Sequence, residues 1–505
     1  MAAGGELSYN MVVTHLILAV TLMFANASVR EPVVAGRFYP GDRVALQKEV
    51  KGYLDAAPVP ALEGPVLAVV SPHAGYAFSG PPAGRAVKAL AGAGFTRIIL
   101  MGTGHGAYYE SGAVLADYDA FATPLGRVPV DRAAVAALAK KPGFKVANNL
   151  HQREHSLEVQ LPFLQETLGE FSIVPMVMGG QTTPEDADAV AKGLRSLLDG
   201  KTAIVVSTDF THYGPNYDYV PFRDGVAEKM RALDLGAWEL VRPGFQERFA
   251  AYIETTGATV CGEKGLMVLC ALLPPEAKRV MLEYTSSGEV LGDYANAVGY
   301  LAGVFTGKKD GPAAVPARKP HTGTLKPEER KALLRLARAA LDSHVTASDA
   351  LSRALAGLTL TEGLTGVAGA FVTLKAGEDL RGCIGAIEGR EPLWLSVVHN
   401  AANAATRDPR FRPVRPEELT LISVEVSALS PMKPVASVDD IVLGKHGVIL
   451  EKRGRSAVFL PQVATEQGWN LEQFLSHLAR KAGLGASDWK EGASFRVFTA
   501  DVIHE

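Results

Sequence analysis

Four segments in the first half of the chain share one pattern, in which a run of β-branched and aliphatic residues leads into a polar turn. Uninterrupted apolar runs of this length predict strands that are buried on both faces of a sheet. The amphipathic stretches at 82–91, 131–140 and 184–198 predict helices that cover the sheet. The pattern therefore predicts a layered α/β domain with a central sheet flanked by helices. The four runs lie at 66–70, 98–101, 173–178 and 203–206.

The pattern changes after residue 305, where residues 306–324 are rich in Lys, Gly and Pro and predict a linker. Beyond the linker, helical spacing from 327 onward, an alternating strand at 422–427 and a helix capped by Asn470 predict a smaller α+β domain. The segments 447–451 and 456–460 predict a hairpin within it. The predicted division is an extension at 1–27, a first domain at 28–305, the linker at 306–324 and a second domain at 325–505.

The extension contains an apolar run at 11–24 followed by Ala-Asn-Ala at 25–27, which resembles a signal-peptide cleavage site. The run is too short to span a bilayer comfortably, so we expect no stable membrane span. The ten residues before it contain no Lys or Arg, whereas a secretory signal normally begins with positive charge. The sequence favours a cytoplasmic protein, and export follows if residues 1–27 are a cleaved signal peptide.

Composition narrows the classes of function. The 505 residues are 47% hydrophobic and 21% charged, which is typical of a folded globular protein of two domains. A net charge of -3 gives no long-range attraction to phosphate backbones, so no nucleic-acid partner is indicated. The glycine-rich turn at 102–106 lacks the spacing of a dinucleotide or P-loop motif, so no nucleotide cofactor is indicated either.

Histidines follow three of the four predicted strands, at His73, His105 and His212. Ligands of α/β sheets bind outside the carboxyl ends of the strands, where these side chains are expected. Imidazole nitrogen is a ligand for Fe, Cu, Zn and Ni, and two such groups together make a partial metal site. Each histidine taken alone could equally be a hydrogen-bonded loop residue.

Cysteine offers a third ligand. The chain has three cysteines, too few for a disulfide framework. Cys261 stands at the start of a predicted helix, where backbone N–H groups favour the thiolate that binds metals. Cys270 lies nine residues further on, on another face of that helix, and is expected to fill the core.

Asp209 and His212 are three residues apart after the fourth predicted strand. In one interpretation His212 is a general acid or base and Asp209 orients it or adds a ligand. In the other, Asp209 caps a helix and His212 is merely polar. The spacing alone leaves both open.

A rival motif, HQREH at 151–155, fits the H-x-x-E-H pattern of inverted zinc peptidases. Two histidines four apart share one face of a helix, although Pro162 interrupts the helix soon afterwards. A hydrolase of this kind predicts that His151 and His155 variants lose metal. Independently of that activity, we expect His155, Glu158 and Tyr76 at the same pocket.

In the second domain, Cys383 stands between glycines, with Arg381 close by. Glycine there indicates a tight backbone path or close approach of a ligand, and a neighbouring Arg favours thiolate. A buried turn cysteine is the alternative. The charged segment at 407–412 is expected to be a solvated loop rather than an anion site.

Ordered motifs connect the chain to known families. The segment VREPVVAGRFYP at 29–40, SPHAGY at 71–76, GTGH at 102–105, EHSLEVQLPFLQ from Glu154, STDFTHYG from Ser207 and the Cys261 segment resemble the Memo family over residues 28–305. From residue 325 onward, LRGCIGA, RDPRF and LPQVATEQGW resemble the AMMECR-type domain. Memo-like domains are similar in fold to class III extradiol dioxygenases, which are non-haem iron enzymes.

The resemblance implies that His73, His105 and Cys261 are metal ligands and that Asp209 and His212 lie beside them. It implies an iron or copper ion, and it suggests a radical SAM protein as partner. Because a thiolate stands where the dioxygenases use a carboxylate, ring cleavage does not follow from the fold.

Our leading hypothesis is a dioxygenase-like, metal-dependent oxidoreductase acting on a small molecule, with His212 and Asp209 as its catalytic pair. A scaffold that binds a ligand or partner without turnover is the first alternative. A metal-dependent hydrolase is the second.

Overall fold

The computed structural model describes residues 28–106, 110–308 and 325–505. The predicted extension at 1–27 lies outside the described residues, as does the predicted linker from residue 309 to residue 324. The chain forms two compact units, each with its own helices and strands.

The first unit is built around a mixed sheet that matches the predicted α/β architecture. Four of its strands, which correspond to the four predicted runs, are neighbours and run parallel in the order β2-β9-β3-β8. The full sheet has nine strands in the order β10-β12-β2-β9-β3-β8-β4-β7, with β11 beside β12, and a separate three-stranded sheet has the order β1-β5-β6. The strands are β1 (Val29–Arg30), β2 (Val66–Ser71), β3 (Arg97–Thr103), β4 (Ala113–Leu115), β5 (Ala120–Thr123), β6 (Gly126–Pro129), β7 (Phe144–Val146), β8 (Ser172–Met178), β9 (Thr202–Ser207), β10 (His212–Tyr213), β11 (Lys278–Ser286) and β12 (Ala297–Thr306).

Helices cover this sheet, and short polar side chains cap the N-terminal ends of several of them. Asp42, Asp131 and Thr183 each accept a hydrogen bond from a backbone N–H of the first turn, which satisfies a donor that the helix leaves open. The helix predicted to begin at residue 82 begins instead at Tyr76 and contains two prolines. The helices lie at Arg43–Ala56, Tyr76–Lys88, Arg132–Leu138, Asn148–His151, Leu161–Thr167, Pro184–Leu194, Glu263–Leu272 and Ser287–Leu291.

The central strands carry the core of the first unit. Every residue of β2 and β9 is buried, as continuous apolar runs predict for strands covered on both faces. The register pairs Ser71 at the end of β2 with Ser207 at the end of β9, so both strands end at one edge. Among the described residues, no helix combines the length and the apolar character needed to cross a bilayer.

The second unit contains two four-stranded antiparallel sheets and several helices, as the α+β prediction requires. Its sheet orders are β14-β13-β15-β20 and β16-β19-β17-β18. The strands are β13 (Ala370–Ala376), β14 (Asp379–Ala386), β15 (Ile422–Leu429), β16 (Lys433–Val435), β17 (Gly447–Lys452), β18 (Arg455–Phe459), β19 (Ser494–Phe498) and β20 (Ala500–His504). Its helices after the linker lie at Pro327–Thr346, Ala350–Ala356, Glu362–Thr365, Leu393–Thr406, Val463–Glu466 and Leu471–Lys481, and the last is capped by the side chain of Asn470 as predicted.

Two earlier segments also belong to the second unit, namely Pro221–Leu240 and Ala251–Gly257. They include the helix Val226–Leu240 and the end of the helix Gln246–Thr256. A Cβ on Gly236 would lie 3.2 Å from the Oγ of Ser352, and His344 Nδ1 lies 2.5 Å from the carbonyl oxygen of Thr255. These tertiary contacts involve residues more than eighty positions apart, so local composition does not predict them.

Candidate metal centre

Three side chains leave the sheet at equivalent positions. His73, His105 and Asp209 each lie two residues beyond the last residue of their strand, β2, β3 and β9 respectively. These strands are neighbours and parallel, so their carboxyl ends lie along one edge. The three residues therefore lie at the edge where ligands of α/β sheets bind.

His73 is buried, and its ring is held by Ser207. The hydroxyl of Ser207 donates its one hydrogen to the carbonyl oxygen of Ser156 at 2.6 Å and accepts from the amide of Gln160 at 2.9 Å. His73 Nδ1 lies 3.1 Å from the same hydroxyl oxygen and must therefore be the donor. This fixes the ring so that Nε2 faces the Sγ of Cys261, at 3.2 Å.

His105 is held by the carboxylate of Glu154. Its Nδ1 lies 3.0 Å from both carboxylate oxygens, and its backbone N–H donates to Oε2. Burial alone would raise the pKa of Glu154, but hydrogen bonds from His105 and from the backbone of Ser156 lower it to about 2. The carboxylate is therefore ionised at neutral pH, and His105 carries its proton on Nδ1 and leaves Nε2 for a metal.

His155 completes a group of three imidazoles. One ligand nitrogen from each of His73, His105 and His155 lies within 4.8 Å of the others. The rings of His105 and His155 are stacked at 16° with centroids 4.7 Å apart. Burial and the neighbouring His73 lower the pKa of His155 to about 4, so that this ring is neutral at neutral pH.

Cys261 and Asp209 flank His73. The Sγ of Cys261 accepts the backbone N–H of Asp209 at 3.1 Å, and the Asp209 carboxylate accepts the backbone N–H of His73 at 2.7 Å. Burial alone would lower the pKa of His73, but the sulfur of Cys261 and the carboxylate of Asp209 raise it to about 10. A metal ion bound at Nε2 would replace the proton that this nitrogen otherwise carries.

His212 also presents Nε2. Its Nδ1 lies 2.9 Å from the carbonyl oxygen of Phe210 and 3.1 Å from that of Thr259, and carbonyl oxygens only accept. Burial lowers the pKa of His212, which keeps the ring neutral. Two carbonyl oxygens, rather than Asp209, face Nδ1 of His212, and the prediction that Asp209 and His212 act together stays a prediction. The alternative in which Asp209 caps a helix is wrong, because a strand, β10, follows it.

Glu158 and Tyr76, which we expected at the pocket, lie in the core instead. Glu158 is 0% exposed and pairs with Arg30, and its carboxylate also accepts from the backbone of Val33 and Val34 and from the hydroxyl of Tyr39. Tyr76 is 1% exposed and donates to the carbonyl oxygen of Val159. The Glu158 side chain thus ties Arg30, Val33, Val34 and Tyr39 to the segment Glu158–Gln160.

The H-x-x-E-H interpretation fails on geometry. The helix Asn148–His151 ends before His155, so the two histidines share no helix face. His151 is 1% exposed and its Nε2 lies 2.9 Å from the carbonyl oxygen of Val114. Of the two histidines in the motif, only His155 joins the imidazole group.

A cavity opens beside His105, His212 and Cys261. Its volume of about 550 Å³ is within the usual range for a small-molecule site. The hydroxyl of Thr103 lies in its wall, buried and without a hydrogen-bond partner among the described residues. The lining includes His105, His212, Tyr217, Cys261 and Lys264, and glycines at 102, 104, 180, 262 and 265.

The other cysteines behave differently. Cys270 is 0% exposed, and burial raises the pKa of its thiol to about 12, as expected for a core residue. Cys383 is half-buried on β14, where its Sγ accepts from the hydroxyl of Thr373 and its backbone N–H donates to Asp408. Arg381 pairs with Glu418 rather than with this thiol.

The donors at the edge fit a transition metal. Neutral imidazole and thiolate are ligands for iron, copper and zinc, and each of His73 and His105 has its second nitrogen bound to an acceptor, as metal-binding histidines usually do. Sequence reasoning missed Glu154, Ser207 and Gln160, which orient these rings. The adjacent residues Glu154 and His155 are the sequence feature that could have indicated such a partner. A carboxylate beside a histidine cluster commonly orients a metal-binding histidine.

Comparison with known proteins identifies two families in the chain. The model of Memo-like proteins matches residues 30–304, and the AMMECR1 model matches residues 334–503. The chain is 38% identical over 291 residues to MEMO1 family protein MK0963 of Methanopyrus kandleri, covering 55% of this chain and 98% of the relative. It is 33% identical over 296 residues to a MEMO1 family protein of Thermococcus onnurineus, covering 55% and 99%. Among solved structures, the uncharacterized protein PH0010 of Pyrococcus horikoshii is 33% identical, with 36% of this chain and 93% of that chain covered and a TM-score of 0.32.

Proposed function

The chain belongs to the Memo-like protein family, and on that premise we propose that it is a metal-dependent redox protein whose ion is iron or copper. The proposal rests on the proximity of three side chains that are distant from one another in the sequence. Cys261 Sγ lies 3.2 Å from His73 Nε2, and the rings of His73 and His105 have centroids 5.7 Å apart. His73, His105 and Cys261 would hold the ion, and imidazole and thiolate suit both metals.

A bound iron or copper ion would supply one-electron chemistry and polarise an oxygen ligand beside it. The protein's own contribution is to bind and orient a small molecule in the cavity of about 550 Å³. His212 is placed to accept a proton at Nε2, since its Nδ1 is committed to two carbonyl oxygens.

Metal analysis after anaerobic purification tests the proposal. We expect the wild-type chain to retain iron or copper, and we expect His73→Ala and Cys261→Ala to retain clearly less. Cys383→Ala is the matched control, because this half-buried cysteine lies on β14 of the second unit. Equal metal content in wild type and Cys261→Ala would remove the thiolate from the ligand set.

Oxygen consumption separates a redox enzyme from a scaffold. An enzyme loaded with iron or copper should consume oxygen when a reductant is supplied, and His73→Ala should not. A protein that binds metal yet never turns over would fit the scaffold alternative, in which the cavity only binds a ligand or partner.

The proposed partner is a radical SAM protein, on the strength of the family resemblance. Co-purification of the full chain with radical SAM proteins from the same organism would test this partnership, and failure of all of them to bind would contradict it.

A further inference from the structure

His155 offers a third nitrogen ligand beside those of His73 and His105. Its ligand nitrogen and those of His73 and His105 lie within 4.8 Å of one another. The His155 ring is perpendicular to that of His73, at 85° with centroids 5.5 Å apart. One nitrogen of each ring therefore lies close enough to the others to share one ion.

One carboxylate lies beside two of these rings. Oε1 of Glu154 lies 3.0 Å from His105 Nδ1 and 3.7 Å from His155 Nδ1. The two rings are nearly parallel, and the same carboxylate faces Nδ1 of both. A carboxylate behind the ring is the usual partner of a metal-binding histidine.

Cys261 occupies a different position. Its Sγ lies 3.2 Å from His73 Nε2, but it is not part of the group of mutually close donor atoms. It also accepts the backbone N–H of Asp209 at 3.1 Å, which holds it beside His73. The sulfur therefore reaches the site from one side of a set that already contains three nitrogens.

We infer that His155 is a third imidazole ligand, so that His73, His105 and His155 together hold a divalent first-row transition ion beside the sulfur of Cys261. The inference rests on the proposed function, because it concerns the same ion. It extends the ligand set beyond the two histidines and the cysteine. Three imidazoles with further positions open to water or substrate form an established type of catalytic metal site.

Titration of the metal-free full-length chain with divalent cobalt tests the inference, because cobalt bound by sulfur gives a charge-transfer band that cobalt bound by nitrogen lacks. We expect the wild type to bind cobalt and His155→Ala and His155→Gln to bind it at least roughly tenfold more weakly. Cys261→Ser should also bind cobalt more weakly than wild type and lose the sulfur band, whereas the His155 variants should keep that band. His504→Gln, whose side chain is 66% exposed, is the control and should match wild type.

Each outcome has one meaning. If the His155 variants bind cobalt as the wild type does, with the same spectrum, His155 is not a ligand and the inference is overturned while the proposed function stands. If Cys261→Ser binds cobalt as tightly as the wild type and with the same band, the sulfur is not a ligand, and the proposed function loses its thiolate while the inference on His155 stands. If the wild type binds no cobalt, iron or copper, the proposed function itself fails. A circular dichroism spectrum and a urea midpoint equal to those of wild type establish that a variant is folded. If His155→Ala is not folded, the test uses His155→Gln instead.

Discussion

Both carboxylate oxygens of Glu154 lie 3.0 Å from Nδ1 of His105. The same carboxylate accepts the backbone N–H groups of His105 and Ser156, so its position is set by the turn that carries it. The orientation of a metal-site histidine is thus built into a loop fifty residues away in the sequence. The carboxylate also makes the imidazole a stronger ligand, since it shares the proton on the opposite nitrogen.

Replacing Glu154 by Gln should weaken metal binding without emptying the site. The amide keeps one acceptor oxygen but loses the charge, so we expect the cobalt dissociation constant to rise about tenfold to a hundredfold. Cobalt titration of the metal-free protein measures the effect. Glu63→Gln, at a carboxylate that is 78% exposed and paired with Lys278, is the control. An unchanged affinity in Glu154→Gln would show that this hydrogen bond does not position His105.

Replacing Glu158 by Gln should destabilise the first unit. Glu158 and Arg30 form an ion pair with side chains 0% and 2% exposed, and removing one charge leaves the other buried without its partner. We expect the free energy of unfolding to fall by about 3 kcal/mol, measured from urea midpoints. The double variant Arg30→Met with Glu158→Gln should recover part of the loss. No recovery would indicate that the backbone hydrogen bonds of Glu158, rather than the ion pair, carry the stability.

His151 should make the protein sensitive to mild acid. Burial lowers the pKa of His151 from 6.5 to about 4, so between these values the unfolded chain binds a proton that the native protein does not. Stability should therefore fall as the pH drops from about 6.5 toward 4, by up to about 3 kcal/mol. His151→Gln should reduce this slope in urea unfolding curves taken across the range, whereas His504→Gln should not. Equal slopes in wild type and His151→Gln would assign the acid sensitivity to other groups.

Gly262 should tolerate no side chain. A Cβ at this position would lie 2.3 Å from the Cβ of Thr208 and 3.0 Å from the carbonyl oxygen of Ser207, so Gly262→Ala must move the loop that carries Cys261. We expect a loss of about 1–3 kcal/mol in stability and weaker metal binding. Gly52→Ala, where a Cβ would meet nothing within 4 Å, is the matched control and should leave both unchanged or raise stability slightly. Metal binding by Gly262→Ala equal to that of the control would argue against a role for the Cys261 loop.

The sequence pattern predicted the sheet well because buried strands are encoded locally. The runs at 66–70 and 203–206 are apolar throughout and form adjacent parallel strands. The histidines after the strands could be placed at one edge by the general geometry of α/β sheets. Their orientation could not, because Ser207, Glu154 and Gln160 act across the fold and have no fixed spacing from the rings that they hold.

The predictions that the structure contradicts failed for the same reason, because they too depend on contacts across the fold. Glu158 and Tyr76 were expected at the pocket because they stand in motifs beside it, yet they point into the core to bind Arg30 and Val159. The motif at 151–155 suggested a helix face, but the helix ends at His151. Spacing along the chain does not determine which side of a turn a residue faces.

The single hydrogen of the Ser207 hydroxyl has a consequence for acid–base behaviour at the edge. Because that hydrogen is committed to the carbonyl of Ser156, the hydroxyl oxygen only accepts from the ring of His73. Any proton that this imidazole gains or releases must therefore pass through Nε2, on the side of Cys261. Acid and metal then compete for one lone pair, and acidifying the solution should release the ion from His73 rather than leave both bound.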